Sequence, residues 1–502
     1  MKKVKNIFKY ILIFLMCLIV CSIEWAFKVY DNVVFEEALF HLNPKLTESG
    51  TGILLNYFFG ALIPAILLFI IILLLFRMIF NFLHGYNLVL KIKLNGKKFI
   101  FKFAENKSIT FFMRLIYLVL MFTFVYSLYK IELFSYLINQ TKKSTFIEEN
   151  YVDPKKVKLE FPQTKRNLIY IFVESYESSY FSTDLGGLKE YNLMSEMSEF
   201  TKNNINFSNT NKFGGAIQIY GLSWTTAGMV AQTAGIPLRI PAGISNETKF
   251  NKYLPGAYSI GDILKKEGYN QELLLGSKSG FGNRNIYFKA HGNYKVYDYN
   301  TAIKNKKIAK DYYTNWGFED SILFDIAKEE ITKLSKEDEP FNFVTLTTAT
   351  HFPDGYVEDS CMEKYEDSYS NSIDCSSSQI KEFIEWIKKQ DFYDDTTIVI
   401  SGDHLTMQAD FFDDNQFDKR TIYNLFINSA ISEENSRVRY FTTMDMYPTT
   451  LAAMGVKIDG DRLALGVNLF SGKQTIIEKF GRNMVDQEFS KVSKFYNAKI
   501  LN

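Results

Sequence analysis

The stretch GLSWTTAGMVAQTAGIPL, Gly221 to Leu238, places several hydroxyls at the start of a small-residue helix pattern, with Thr225 as the candidate nucleophile. On its own, a hydroxyl at Ser223, Thr225 or Thr226 would more commonly cap a helix by accepting a backbone N–H of the first turn. Three other segments add chemical company: NLIYIFVES, FNFVTLTTATH and TTIVISGDH each run from a short apolar strand pattern into polar residues. Glu174 follows the first strand, His351 ends the second, and Asp403 with His404 follows the third. In an open parallel α/β sheet, such positions meet at one sheet edge, where these folds bind ligands. A carboxylate there is either a solvent-facing strand-end residue or a buried anion that needs a compensating cation. Glu174, Thr225, Asp403 and His404 together form a mixed oxygen and nitrogen set suited to a divalent ion, Mn2+ foremost, with Zn2+ or Mg2+ also compatible. A metal on the threonine oxygen would lower its pKa and turn a poor nucleophile into an alkoxide-like one. His351 could contact a phosphoryl oxygen or protonate a leaving group. Arg284, in GFGNRNIYF, offers a planar fork for phosphate, or else is an ordinary surface arginine.

The chain that must position these residues has 502 residues, is 47% hydrophobic and carries a net charge of +1. That length holds a membrane part plus one large soluble domain and excludes neither an enzyme nor a transporter. No extended basic stripe argues for a nucleic-acid partner. Cys17 and Cys21 fall inside an apolar run, whereas Cys361 and Cys375 fall in a polar loop. In an oxidising compartment a bridge between the second pair would close a loop and add roughly 3 kcal/mol.

Apolar runs at residues 7–27, 52–82 and 111–137 each reach the length needed to cross a bilayer, and Pro64 is expected to kink the second. The first follows a basic start and has no evident small-x-small cleavage site, so it reads as a retained helix rather than a signal peptide. Lys91, Lys93, Lys97, Lys98, Lys102 and Lys107 lie between the second and third runs. The first loop instead carries Asp31, Glu36, Glu37 and Glu48, with only Lys28 and Lys45. Lysine favours the cytoplasmic side, so the N-terminus is expected inside and everything after residue 140 outside. The expected organisation is a membrane domain over 1–138, a linker over 139–166, an extracytoplasmic catalytic domain over 167–475, and a C-terminal tail over 476–502 without a usable motif. From Asn167 onward, strand patterns alternate with helix patterns, including GDILKKEGY, SILFDIAKEEITKL and SSQIKEFIEWIKKQ. This predicts an α/β domain with a mostly parallel sheet covered by helices on both faces.

Several segments also resemble a known family, in its order along the chain: FVES, WTTAGMVA, GIPL, GDILKKEGY, NWGFED, THFPDGY, SGDHL and MDMYPTTLAAMG. From Asn167 to about Gly472 the chain resembles the alkaline-phosphatase superfamily. Within it, the resemblance extends to lipoteichoic acid synthases, sulfatases and above all the membrane phosphoglycerol transferases that modify osmoregulated periplasmic glucans. The resemblance implies an alkaline-phosphatase/sulfatase-like fold. It makes Glu174, Thr225, Asp403 and His404 a metal shell with Thr225 as nucleophile, and His351 and Arg284 substrate-phosphate residues. The cysteine pair Cys361 and Cys375 matches a pair in the glucan-type enzymes. No Cys-x-Pro-x-Arg signature surrounds Thr225, so formylglycine chemistry is not implied.

The activity implied is metal-dependent transfer of phosphoglycerol from phosphatidylglycerol to an envelope glycan hydroxyl, through a covalent threonine intermediate and with release of diacylglycerol. The setting is a multi-pass protein of a bacterial inner membrane with its catalytic domain in the periplasm. Other readings are a phosphoethanolamine transferase or phosphodiesterase on the same site, a polyglycerophosphate polymerase, or an inert membrane scaffold. Tyr176, Tyr180, Phe281 and Tyr356 are candidate stacking surfaces for sugar rings.

Overall fold

The computed structural model describes residues 2–29, 35, 55–84, 88–94, 97–103, 105–239, 253–314, 316–408, 410–432 and 436–502. The loop residues Asp31, Glu36, Glu37, Lys45 and Glu48 used for orientation, and Asn315, lie outside them. The chain divides into two compact units, one of residues 1–35 and 49–136, the other of residues 36–48 and 137–502.

Among the described residues of the first unit, three helices are long and apolar enough to cross a membrane: Ile7–Val29, Leu55–Leu83 and Lys107–Lys130. They meet through Ile13, Cys17, Ile72, Phe76 and Leu120. Proline has no N–H to give to a helical bond, and the helix widens to a π turn over Phe58–Leu62 just before Pro64. The third span stops at Lys130, short of the expected Leu137. Glu132 turns left-handed with φ 58°, and a separate helix, Leu133–Thr141, follows. Between the second and third spans lies an antiparallel hairpin of β1 (Leu88–Leu94) and β2 (Lys97–Phe103).

The second unit is built on a seven-stranded sheet. Its strands are β4 (Asn167–Val173), β5 (Gly215–Ala216), β6 (Asn270–Leu275), β7 (Lys295–Tyr297), β8 (Phe341–Leu346), β9 (Thr396–Gly402) and β10 (Ile422–Ile427), in spatial order β5-β10-β9-β4-β8-β6-β7. From β9 to β7 all pairings are parallel, while β10 and β5 close one edge antiparallel. Strands β8 and β9 are buried along their whole length and β4 along all but its first residue, as an apolar run covered on both faces requires. The register sets Val173 beside Gly402 and Phe172 beside Leu346, so the chain leaves β4, β9 and β8 at one level of one edge.

Some expectations need correction. The helix read from Ser377 begins at Ser368, where Asp367 caps it by accepting the Ser370 N–H. Cys375 therefore sits in a helix and only Cys361 in a loop, and the two are bridged. Phe146 packs edge-on against Phe480 and Phe489, and β3 (Leu159–Glu160) pairs with β11 (Lys457–Ile458). Residues 476–502 form helices that bury Val485, Phe489 and Tyr496.

Candidate active site

Glu174 is the first residue beyond β4 and Asp403 the first beyond β9, so the Val173–Gly402 register makes them neighbours. The chain then turns sharply at Ser175, a non-glycine with φ 52°, which lets its N–H donate to Asp403 Oδ1 at 2.8 Å. The His404 N–H donates to the same oxygen at 2.9 Å. The His404 ring is oriented by its own backbone, with Nδ1 2.7 Å from the Leu405 carbonyl. That bond places the proton on Nδ1 and leaves Nε2 to face the carboxylates, 3.3 Å from Glu174 Oε1 and 3.4 Å from Asp403 Oδ2.

Thr225 reaches this cluster from the helix Thr225–Ala234, whose Gly235 stop is left-handed at φ 65°. Two contacts pin that helix to the sheet: Tyr170 donates to Gln232 Oε1 at 2.7 Å, and Gln232 Nε2 donates to the Gly402 carbonyl at 2.8 Å. Gly228 permits the approach, since a Cβ there would lie 2.0 Å from the Asp403 carbonyl oxygen. The Thr225 side chain does not cap its helix. Its Oγ1 instead lies 3.3 Å from Glu174 Oε2 and 3.5 Å from His404 Nε2. Glu174 is likewise buried rather than solvent-facing, at 2% exposure, while Thr225 keeps 8%.

Glu174, Asp403 and His404 offer ligand atoms within 4.8 Å of one another. Asp403 Oδ2 is buried without a hydrogen-bond partner, a costly state for a carboxylate oxygen unless a cation completes it. In the metal-free protein, burial and the Glu174 charge push Asp403 up to about 7. Burial opposes charge on His404, but Asp403 and Glu174 outweigh it and hold the imidazole up at about 10. Burial would raise Glu174, yet His351, His404 and the Ser175 hydroxyl bring it down to about 2. A single imidazolium thus stands among two carboxylates where a divalent ion would balance the charge better. The donor set fits such an ion, with Thr225 Oγ1 as a further oxygen.

His351 lies five residues beyond the end of β8, not at the strand end as the sequence suggested. Its loop is held by Asp320, which accepts the Thr348 N–H at 2.8 Å and the Ala349 N–H at 3.2 Å. The ring of half-buried His351 stacks on Phe352, with centroids 4.7 Å apart, and lies tilted against Trp316 at 4.1 Å. Burial lowers its pKa against the opposing charge of Glu174. Arg284 is buried rather than on the surface. Its Nε donates to the Phe281 carbonyl and its Nη2 to Ser277 Oγ and the Lys278 carbonyl, so much of the fork is committed to the protein. Burial lowers it to about 10, with Glu174, Asp403 and Asp298 opposing.

Tyr176 and Tyr180 are fully buried core residues and cannot offer faces to a sugar, whereas Phe281 and Tyr356 retain surface. Trp316, within NWGFED, was missed: its ring lies against His351, a contact between residues far apart in sequence that no local pattern signals. Glu177 was also missed. It accepts from Arg420 and from the Thr406 N–H at 2.7 Å, fixing the chain just past His404, and nothing in its sequence position signals this.

The Sulfatase family model matches residues 166–456. Phosphoglycerol transferase I of Salmonella choleraesuis (strain SC-B67) is 33% identical over 341 residues, 66% of this chain and 42% of that protein. Its counterpart in Salmonella typhi is 32% identical over the same length. The chain thus spans less than half the length of these relatives. Among solved structures, the lipoteichoic acid synthase LtaP from Listeria monocytogenes aligns with TM-score 0.49 at 18% identity, over 65% of this chain and 81% of its own. The lipooligosaccharide phosphoethanolamine transferase EptA from Neisseria meningitidis aligns with TM-score 0.49 at 14% identity, over 89% of this chain and 84% of its own. With its sheet, its strand-end cluster and a family match covering more than half its length, the chain belongs to the sulfatase family.

Proposed function

We propose that the protein transfers phosphoglycerol from phosphatidylglycerol to an extracytoplasmic glycan hydroxyl. The observation that carries the chemistry is the convergence of Thr225 Oγ1 on Glu174 and His404 within 3.5 Å. When bound by Glu174, Thr225, Asp403 and His404, a divalent ion, Mn2+ foremost, would neutralise developing charge and lower the pKa of the threonine hydroxyl. The head group and acceptor rest on the names of the relatives and on the glucan-type motifs, including the bridged Cys361 and Cys375.

In the first half-reaction Thr225 Oγ1 forms a bond to phosphorus, and the bond from phosphorus to the diacylglycerol oxygen breaks. Diacylglycerol leaves with the proton that the threonine gave up. In the second half, the acceptor hydroxyl attacks the phosphothreonine, the Thr225–phosphorus bond breaks, and the acceptor's proton returns to Thr225. Thr225 opens its helix, whose first-turn N–H groups have no intrahelical acceptors and favour phosphoryl oxygens. The first helical bond runs from the Gly228 N–H to the Trp224 carbonyl. His351, with Nδ1 donating to the Phe352 carbonyl at 2.6 Å, has Nε2 left to take up the threonine's proton, and as an imidazolium it can then contact the substrate phosphate and pass that proton to the leaving oxygen. Arg284 contributes a fixed positive charge rather than a free fork. We place the site outside the cytoplasmic membrane, after three spans with the N-terminus inside.

Two measurements test this reading. Mass spectrometry of envelope glycans from cells with and without the gene should show a glycerophosphate increment only in the former. Unchanged glycans with loss of a polyglycerophosphate polymer would replace the glycan acceptor with polymer extension. Reporter fusions after residues 95 and 150 should report opposite sides of the membrane, and a cytoplasmic signal at 150 would overturn the orientation.

A further inference from the structure

The hairpin of β1 and β2 has a two-faced register. Leu88 pairs with Phe103, Leu90 with Phe101 and Ile92 with Phe99, so one face of the ribbon takes six apolar positions. Val89 pairs with Lys102, Lys91 with Ile100 and Lys93 with Lys98, so the other face takes four of the five lysines between His84 and Glu105. No aspartate or glutamate lies between those two residues. On the lysine face Val89, Lys91, Lys93 and Ile100 are exposed. A ribbon of two strands has one more apolar face than it can bury by itself.

The neighbours in sequence limit where that face can be. β1 starts four residues after His84, at the end of the Leu55–Leu83 span, and β2 ends two residues before Glu105, where the next helix begins. At about 3.5 Å per residue the strand ends stay within roughly 14 Å of the span ends, inside or next to the lipid headgroup zone. Seven residues of strand measure roughly 23 Å, so an upright ribbon would carry its apolar face into water, whereas a flat one sets it against the bilayer boundary. Flat placement also brings the lysines to headgroup level, where long stems let ammonium groups reach phosphates.

We propose that this hairpin is an interfacial anchor that lies on the membrane with its apolar face toward the acyl chains and its lysines binding anionic phospholipid headgroups. It would act as a lipid-binding surface separate from the strand-end site. The proposal does not depend on which side of the membrane the loop occupies.

The test uses the full chain with Cys17→Ser and Cys21→Ser and the Cys361–Cys375 bridge intact. One cysteine is introduced at a time (Lys91→Cys, Ile92→Cys, Ile100→Cys or Phe101→Cys) and labelled with an environment-sensitive fluorophore. Each protein is placed in nanodiscs of phosphatidylglycerol with phosphatidylcholine, or of phosphatidylcholine alone, both containing nitroxide lipids. In the anionic discs, quenching should be several-fold stronger at 92 and 101 than at 91 and 100. The contrast should shrink in the neutral discs and when salt rises from about 0.05 M to about 0.5 M. Equal quenching at all four positions, or a contrast unaffected by lipid charge and salt, overturns the proposal. So does protection at 92 and 101 that appears only in discs holding two copies, since a second chain would then be the cover. A labelled protein that does not elute as the single species of its parent is replaced by Leu90→Cys or Phe99→Cys, which share the apolar face.

Discussion

Gly228→Ala is the smallest change expected to disturb the whole site. The added methyl carbon would lie 2.0 Å from the Asp403 carbonyl oxygen and 2.7 Å from its carbon, both backbone atoms that cannot rotate away. Restoring a carbon–oxygen contact of about 3.3 Å requires the helix and the end of β9 to separate by about 1.3 Å. Alanine favours a helix over glycine by about 1 kcal/mol, but overpacking a filled interface costs about 1–3 kcal/mol and a backbone clash falls at the upper end. We therefore expect a net loss of roughly 1–2 kcal/mol, seen as a fall of about 1–3 °C in Tm for a domain of this size. The functional effect should be larger, because the same separation draws Thr225 away from Glu174 and His404, which it now meets at 3.3 and 3.5 Å. A misplacement of about 1 Å costs on the order of 10²-fold in rate. The assay is diacylglycerol release from phosphatidylglycerol vesicles, with thermal unfolding of the same preparation. A variant that is more stable than the parent and equally active would refute the argued approach of helix to strand.

Other outcomes follow from individual contacts. Arg420→Met should leave Glu177 as a buried, unpaired carboxylate and lower stability by about 3–5 kcal/mol in thermal or urea unfolding. Replacing Cys361 and Cys375 together by serine should cost up to about 3 kcal/mol, read as a shift in unfolding midpoint that a reductant reproduces in the parent. Burial raises Asp445 to about 7, above its usual 3.8, so the folded state holds this proton more tightly than the unfolded chain. Its contribution to stability is then full below pH ~4 and is lost as pH rises toward ~7. The Tm advantage of the parent over Asp445→Asn should therefore narrow across that window, and a constant difference would contradict the assignment.

Much of the site could be read in the sequence because it depends on strand ends. An apolar run followed at once by Glu174 or by Asp403 and His404 fixes both a parallel strand and the edge where it delivers its polar residue. The placement of His351 and Arg284 was less legible, because it depends on partners distant in sequence. Asp320 holds the His351 loop by accepting backbone N–H groups, and the Arg284 fork turns back onto Phe281, Ser277 and Lys278. Tyr176 and Tyr180 carry a hydroxyl and a ring that suit either core or surface, and only tertiary packing decides. The π turn before Pro64 and the β1–β2 hairpin each have a local pattern in the sequence, a proline within a span and an alternation of lysines with apolar residues, but neither pattern alone specifies the backbone it forms.

The central claim is that Thr225 carries the transferred group. The direct measurement is peptide mass spectrometry of the manganese-loaded protein after brief incubation with phosphatidylglycerol and no acceptor, with Thr225→Ala as control. A phosphoglycerol adduct on the peptide containing Thr225, absent from the folded variant, is the predicted result. An adduct on another residue, a phosphoethanolamine adduct when both lipids are offered, or turnover retained by Thr225→Ala would contradict it.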